Sequence, residues 1–282
     1  MSTVFYFEMK RKGKKMLKYI VFPAVLSLIL FAVCMVVEAL FPSFNRMYMR
    51  WPDIVKDFLC LKPWSADLWL NIWQLFALLY PFYLIYVMMT ELSEALAEEE
   101  RLETVVYLHN AGIDKRTIFV TKLFVWMAEA FTCCLSLLLL HVLFAVFLRQ
   151  WQGVRNALVY YGILFLVCMI YFAIAGFVVS CRVKKTNSAN VLMAVLVFPW
   201  VLSRIPAFMR FISELLVLTG REGAIVEQFR NVGERTEIFT ILSPLTWCWP
   251  ALTVQRSYFV CGLLLFVVMT GTAFSIYTHK KI

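Results

Sequence analysis

The sequence is poor in charged residues, which make up 16% of its 282 positions, whereas soluble globular proteins average about a quarter. It contains eight cysteines but no C-x-x-C pair and no Cys/His spacing typical of a metal site. Its three histidines lie in separate segments, and it lacks a G-x-x-x-x-G-K-[ST] loop for nucleotide phosphates. The low charge content excludes a soluble domain. The missing motifs give no support for a metal site, for a disulfide framework or for ATP binding through such a loop.

Hydrophobic residues dominate what is present, at 62% of the chain with a mean hydropathy of +0.77. They fall into runs that reach the roughly 20 residues a helix needs to cross a bilayer. The net charge is +9, but the basic residues flank these runs and form no single patch. Such flanking charge is typical of a protein beside an anionic membrane surface and does not indicate a nucleic-acid partner. The fold class predicted is therefore an all-α integral membrane protein.

Six membrane-spanning helices are predicted. Residues 3–16 combine aromatic and basic side chains, which favours an interfacial helix before the first span; a plain positively charged flank is the alternative. Arg204 and Pro206 interrupt the fifth apolar run, so residues 204–256 are predicted to form an outer, partly re-entrant segment. The predicted spans cover residues 17–40, 69–90, 118–148, 156–180, 188–203 and 257–278.

The orientation follows from the density of lysine and arginine in the short flanks of the spans, which places both termini in the cytoplasm. Most tryptophans, including Trp73, Trp151 and Trp247, then fall near the outer interface and predict an aromatic belt. Cys60 and Cys248 are predicted on the outer side, and their pairing is left open.

The segment Glu91–Lys122 is the one long, densely charged stretch between two apolar runs. Its first half is acidic, Gly112 is a predicted helix stop because glycine tolerates positive φ, and a basic pair follows. This pattern predicts two short helices joined by an elbow, an arrangement suited to receive force from a soluble partner. A solvated loop that respects only charge topology is the alternative.

Two further polar features lie within the apolar runs. Glu129 lies some 11 residues into the third run, where an ionisable group is a functional candidate by default; a position near the inner headgroups is the simpler interpretation. Polar side chains of the second span are candidates for a translocation path, although ordinary packing between helices explains them nearly as well. They are Asn71, Gln74, Tyr80, Tyr83 and Tyr86.

The charged segment resembles a known family. In the type-2 ABC exporter permeases this loop typically has the form E-x-E-x-G-T-x-E-x-L-L-x-x-P-x-S-R-x-x-I-x-x-x-K, and the chain has EEERLETVVYLHNAGIDKRTIFVTK. The motif SPLTW at 243–247 resembles the family's S-P-L-T-aromatic before the last span. Leu102 stands where the family often has glycine, and Ala111-Gly112 replaces its usual proline.

The resemblance implies a transport subunit of the plasma membrane that performs no catalysis itself. Two such chains, identical or paired with a sister permease, would each dock on a separate ABC ATPase, and that partner would bind the ATP and Mg²⁺. The cargo would be hydrophobic or amphipathic, such as a peptide, lipid or drug. The ATPase-coupling residues implied are Glu98, Glu99, Glu100, Arg101, Leu102, Glu103, Val106, Leu108, Lys115 and Arg116.

Two other classes remain open from the residues alone. One is an integral membrane enzyme, which predicts ionisable groups converging at one interface. The other is a scaffold or toxin-immunity protein that binds a partner without transport. An ATPase that co-purifies with the chain would favour the exporter over both alternatives.

Overall fold

The computed structural model describes residues 2–41, 68–101, 112–181, 188–221, 223–248 and 256–279, together with Ser43, Arg50 and Val55. Within these ranges every regular element is helical. The long helices are α1 (Ser2–Leu40), α2 (Leu68–Arg101), α3 (Lys115–Phe147), α4 (Trp151–Cys181), α5 (Ser188–Leu218) and α8 (Arg256–His279). Between α5 and α8 lie α6 (Ala224–Arg235), α7 (Phe239–Leu242) and a 3₁₀ helix, Pro244–Cys248.

Five of these helices are long and apolar enough to cross a membrane: α1, α3, α4, α5 and α8. The apolar stretch found in α2, Leu79–Leu92, is shorter than a span. The chain is thus an all-helical, multi-pass type of membrane protein. The second predicted span, 69–90, therefore stays a prediction. The last predicted span, 257–278, agrees closely with α8.

The core forms around α4. Within the apolar window of α4, 72% of the residues are buried, compared with 17% in the windows of α1 and α8. Helices α2, α3 and α8 pack against α4, as does the 3₁₀ helix. Gly262 of α8 lets Trp247 approach closely, because a Cβ at this position would lie 2.9 Å from the indole ring. The outer faces of α1 and α8 remain apolar and exposed, as expected of helices that face lipid.

Three predicted boundaries differ from the structure. Helix α1 runs without a break through the predicted junction at residues 16–17, and α2 continues to Arg101 past the predicted end at 90. The interruption predicted at Arg204 and Pro206 is wrong, because α5 continues through both residues to Leu218. A bilayer offers no water to backbone groups, so a helix is retained across a proline where an open break would leave several groups unsatisfied.

Two tryptophans predicted to lie in the aromatic belt are buried in the core instead. Trp151 is exposed, but Trp73 and Trp247 are buried core residues. Their large apolar surfaces face the helix bundle and not the lipid. Cys248 is also buried and carries a free thiol, while Cys60 lies outside the described residues.

Helix α2 contains a proline whose structural cost is offset by a neighbouring helix. Pro81 has no N–H, so the carbonyl of Ala77, four residues earlier, loses its usual helical donor. The hydroxyl of Tyr160 on α4 donates to this carbonyl at 2.9 Å, and both groups are buried. The pair therefore joins α2 to α4 through a hydrogen bond to the carbonyl that Pro81 leaves without its usual helical donor.

We expect Tyr160→Phe to destabilise the protein by about 1–3 kcal/mol, the cost of leaving a buried acceptor unsatisfied. In a Pro81→Ala background the same substitution should cost clearly less, because the alanine restores a backbone N–H that can donate to the Ala77 carbonyl. Thermal unfolding of the four proteins in detergent measures this double-mutant cycle. Equal losses in the two backgrounds would contradict the assignment.

Candidate functional site

A buried cluster of charges lies where α1, α2 and α3 meet. Its centre is Lys12 of α1, whose Nζ lies 3.2 Å from Oε2 of Glu91 on α2 and 3.5 Å from Oε2 of Glu129 on α3. Lys15 reaches the other oxygen of Glu91 at 3.4 Å, and the hydroxyl of Tyr19 donates to that oxygen as well. We call these five residues the charged cluster.

The cluster is positioned by helix continuity. Because α1 is a single helix from Ser2, Lys12, Lys15 and Tyr19 lie on consecutive turns of one rigid element. Residues separated by three or four positions share a helix face, so the two lysines and the tyrosine can reach the same carboxylate. Farther along, Phe31 of α1 stacks on Phe144 of α3 at 4.3 Å between ring centroids. Contact between α1 and α3 thus extends for 19 residues of α1 beyond Lys12.

Lys12 is held by an aromatic face as well as by carboxylates. Its Nζ lies 3.4 Å from the centroid of the Trp126 ring, one turn before Glu129 on α3. Both side chains are buried. A cation over an indole face is attracted by the ring's quadrupole, and the attraction grows when water is excluded. Burial lowers the pKa of the Lys12 ammonium, and the charges of Glu129 and Glu91 oppose this shift.

The position of the charged cluster relative to the apolar spans is relevant to function. The first candidate span begins at Lys15, so Lys12 lies just before it, at one end of the span. Helix α2 continues beyond Glu91 for ten residues, about 15 Å at 1.5 Å per residue, and ends in the acidic run. Helix α3 begins 14 residues before Glu129. The charged cluster therefore ties together three helices that extend past it in the same direction.

Six of the ten predicted ATPase-coupling residues lie at the ends of two of these helices. Glu98, Glu99, Glu100 and Arg101 belong to the last turn of α2, where the backbone alone is described. Lys115 and Arg116 open α3, and Gly112 before them adopts φ +79°, as the sequence predicts for a helix stop. The remaining predicted members lie outside the described residues. They are Leu102, Glu103, Val106 and Leu108.

The structure separates the predicted path residues of α2. Tyr80 is buried and stacks on Phe76 with ring centroids 5.3 Å apart, whereas Tyr86 is exposed. Tyr83 is half-buried and lies 5.8 Å from the ring of Phe22 on α1. Asn71 and Gln74 belong to the same helix, but their side chains are not described. The tyrosines thus point toward the core, toward α1 and outward in turn, because residues three positions apart are offset by about 60° around a helix.

His141 of α3 has partners that its isolated place in the sequence does not reveal. Its Nδ1 lies 2.5 Å from the hydroxyl of Tyr161 on α4, and the two rings stack. Trp73 and Phe76 of α2 surround the same imidazole. This is a packed aromatic core, and among the described residues no group of three or more His, Cys, Asp or Glu could hold a metal.

The sequence alone marks Glu129 as a candidate functional residue, but it does not reveal the charged cluster. Lys12 counted only as a basic flank and Glu91 only as the start of an acidic run. The available signal was that Lys12 and Glu91 lie at the ends of long apolar runs and Glu129 lies inside one, where an unpaired charge is expensive. Their pairing depends on how helices 79 and 117 residues apart in sequence pack, which periodicity within one helix does not encode.

No protein-family model, curated protein or solved structure matches the chain. The functional assignment therefore depends on the residues of this chain and on their geometry.

We expect Lys12→Met to destabilise the protein by about 3 kcal/mol, because removing one partner of a buried ion pair leaves the other charge uncompensated. Lys15→Met is the matched control on the same helix. Its side chain is 61% exposed, and exposed ion pairs contribute about 0–1 kcal/mol. Unfolding in detergent compares the two variants. Equal losses would show that Lys12 is no more important than a surface lysine.

Proposed function

We propose that the chain is the membrane-spanning permease subunit of an ATP-driven exporter of the type-2 ABC class. In this role it carries no catalytic residues, and a separate ATPase subunit binds ATP and Mg²⁺. The resemblance of the segment 98–122 and of SPLTW to that family motivates the proposal. The arrangement of α1, α2 and α3 around the charged cluster supports it on physical grounds.

The observation that carries the proposal is the unbroken course of α2 from its apolar stretch into the acidic run. Force applied at Glu98–Arg101 acts on the same helix that carries Glu91, about 10–15 Å away along the axis. Glu91 is bound to Lys12, and Lys12 is bound to Glu129. A push on the end of α2 is therefore shared with α1 and α3. Rigid elements joined by buried contacts are what mechanical coupling between sites requires.

A second permease chain is part of the proposal. Large apolar side chains are exposed along α1, α5 and α8, including Leu28, Val201 and Leu264. Lipid covers such faces in a monomer. In the proposed transporter, part of this surface packs against the second subunit, identical or a sister chain, and the translocation path lies between the two. Among the predicted path residues whose side chains are described, Tyr83 and Tyr86 are not fully buried, so they remain candidates to contact a hydrophobic or amphipathic substrate.

The first test is the ATPase complex. The tagged full chain is isolated in mild detergent from cells that produce it natively, and bound protein is assayed for ATP hydrolysis. The triple variant Glu98→Lys/Glu99→Lys/Glu100→Lys should recover roughly tenfold less ATPase, because reversed charges repel the surface that the acids attract.

The matched control reverses three acids elsewhere in the chain, the exposed Glu227, Glu234 and Glu237, which lie in or beside α6. It should recover as much ATPase as the wild type. If no ATPase co-purifies with the wild type, or if both triple variants behave alike, the proposed function is wrong.

The second test is orientation. With both termini in the cytoplasm, the two ends of α1 lie on opposite sides of the plasma membrane. A membrane-impermeant thiol reagent added to intact cells should modify Phe41→Cys but not Tyr6→Cys, two positions that are equally exposed at 63% and 62%. Peptide mass spectrometry identifies the modified cysteine, and permeabilised cells should show both. Modification of Tyr6→Cys alone in intact cells would reverse the proposed orientation.

A further inference from the structure

The charges within the charged cluster do not balance. Glu91 and Glu129 are both buried, but only one ammonium, that of Lys12, is buried between them. The second lysine, Lys15, is largely exposed and therefore screened by water. With every group in its usual ionised form, the buried part of the cluster holds one negative charge in excess. A buried charge without compensation is strongly disfavoured, and a carboxyl group can remove it by binding a proton.

The two carboxyl groups have unequal surroundings. Glu91 accepts hydrogen bonds from Lys12 and from the hydroxyl of Tyr19 and forms an ion pair with Lys15, so its negative charge is well stabilised. Glu129 has one long contact, 3.5 Å, to Lys12. Its other oxygen, Oε1, is buried and receives no hydrogen bond from any described residue. When two neighbouring carboxyl groups differ in this way, the less stabilised one takes the proton.

Among the described residues, the charges that act on Glu129 come from Lys12, Lys15 and Glu91. One more buried ammonium, that of Lys122, lies on α3 two turns before Glu129. On α1 the ionisable groups that act on Glu129 are Lys12, Lys15 and Tyr19; on α2 the group is Glu91, and on α3 itself it is the thiol of Cys133. Helices α4 and α8 also pack against α3. Between 156 and 180 and between 257 and 278, their sequences contain no Asp, Glu, Lys, Arg or His. Only tyrosines and cysteines titrate there, such as Tyr171, Cys168 and Tyr277, and they are neutral near pH 7.

We propose that the charged cluster is a proton-binding site in which the carboxyl group of Glu129 holds the proton at neutral pH. The cluster then contains the Lys12 ammonium, the Glu91 carboxylate and a neutral Glu129, and its buried part has no net charge. Binding is a simple transfer: a hydronium ion gives its proton to a Glu129 oxygen, so one O–H bond breaks in hydronium, which becomes water, and one forms on the carboxyl group. The site follows from the geometry of the three helices and does not require that the chain be an exporter.

The test is infrared spectroscopy of the purified full chain in dodecyl maltoside, a detergent without a carbonyl group of its own. A carboxylic acid has a C=O stretch that the carboxylate lacks and that shifts in D₂O. At pH 7 the difference spectrum of wild type minus Glu129→Gln should contain this band. Glu129→Asp should move the band without removing it. The matched control, Glu237→Gln, removes an exposed carboxylate that is ion-paired with Arg210, and its difference spectrum should lack the band.

A second variant keeps the test decisive if Glu129→Gln does not fold. Raising the pH should abolish the wild-type band as the proton leaves. In Lys12→Met the band should persist to a pH at least one unit higher, since the ammonium that favours the ionised carboxylate is gone. The proposal is overturned if the wild type has no acid band at pH 7 that depends on residue 129. It is equally overturned if the band's pH dependence is unchanged in a folded Lys12→Met protein.

Discussion

The contact of the buried Lys12 ammonium with carboxyl groups on two other helices is the interaction on which the arrangement of α1, α2 and α3 depends. A lysine in an apolar interior must be paired, so any packing of α1 that removed Lys12 from both Glu91 and Glu129 would leave buried charges without partners. Apolar faces can slide past one another at little cost, because one leucine substitutes for the next. A charge with fixed partners cannot slide, and so it specifies the register of the three helices.

The second constraint is the satisfaction of backbone groups in an apolar medium. Helices of 31 to 39 residues continue through Pro23, Pro81, Pro199 and Pro206 without a break, because each proline removes only one donor whereas an open segment would expose several groups. At Pro81 the freed carbonyl is used, since Tyr160 donates to it. Proline in this chain therefore shapes contacts between helices and does not end the helices.

The sequence predictions that the structure bears out concern local properties of the chain. The helical class, the extents of α3, α4 and α8 and the positive φ of Gly112 follow from runs of apolar residues and from one glycine, which are local properties. The break predicted at Pro206 was wrong because a proline rule taken from water does not transfer to an apolar medium. Trp73 and Trp247 were assigned to an interfacial belt by composition, but a tryptophan buries as readily in a core as at a headgroup.

The candidate site was only partly predictable, again for a physical reason. Glu129 was a candidate from the sequence, because the cost of burying a charge is visible in one helix, although a position near the inner headgroups was the simpler interpretation. Its partner was not a candidate, because Lys12 lies 117 residues earlier and is adjacent only after α1 and α3 pack. The donor of the Ala77 carbonyl, Tyr160, lies 83 residues away and was missed for the same reason.

The amino-acid sequence by itself determined that this chain is a helical protein of the membrane, with a charged segment between two apolar runs, since hydropathy acts residue by residue. The tertiary structure decided which charges meet, which tryptophans are core and which tyrosine satisfies a proline-freed carbonyl. Those outcomes depend on distances between helices remote in sequence, and such distances exist only once the helices have packed.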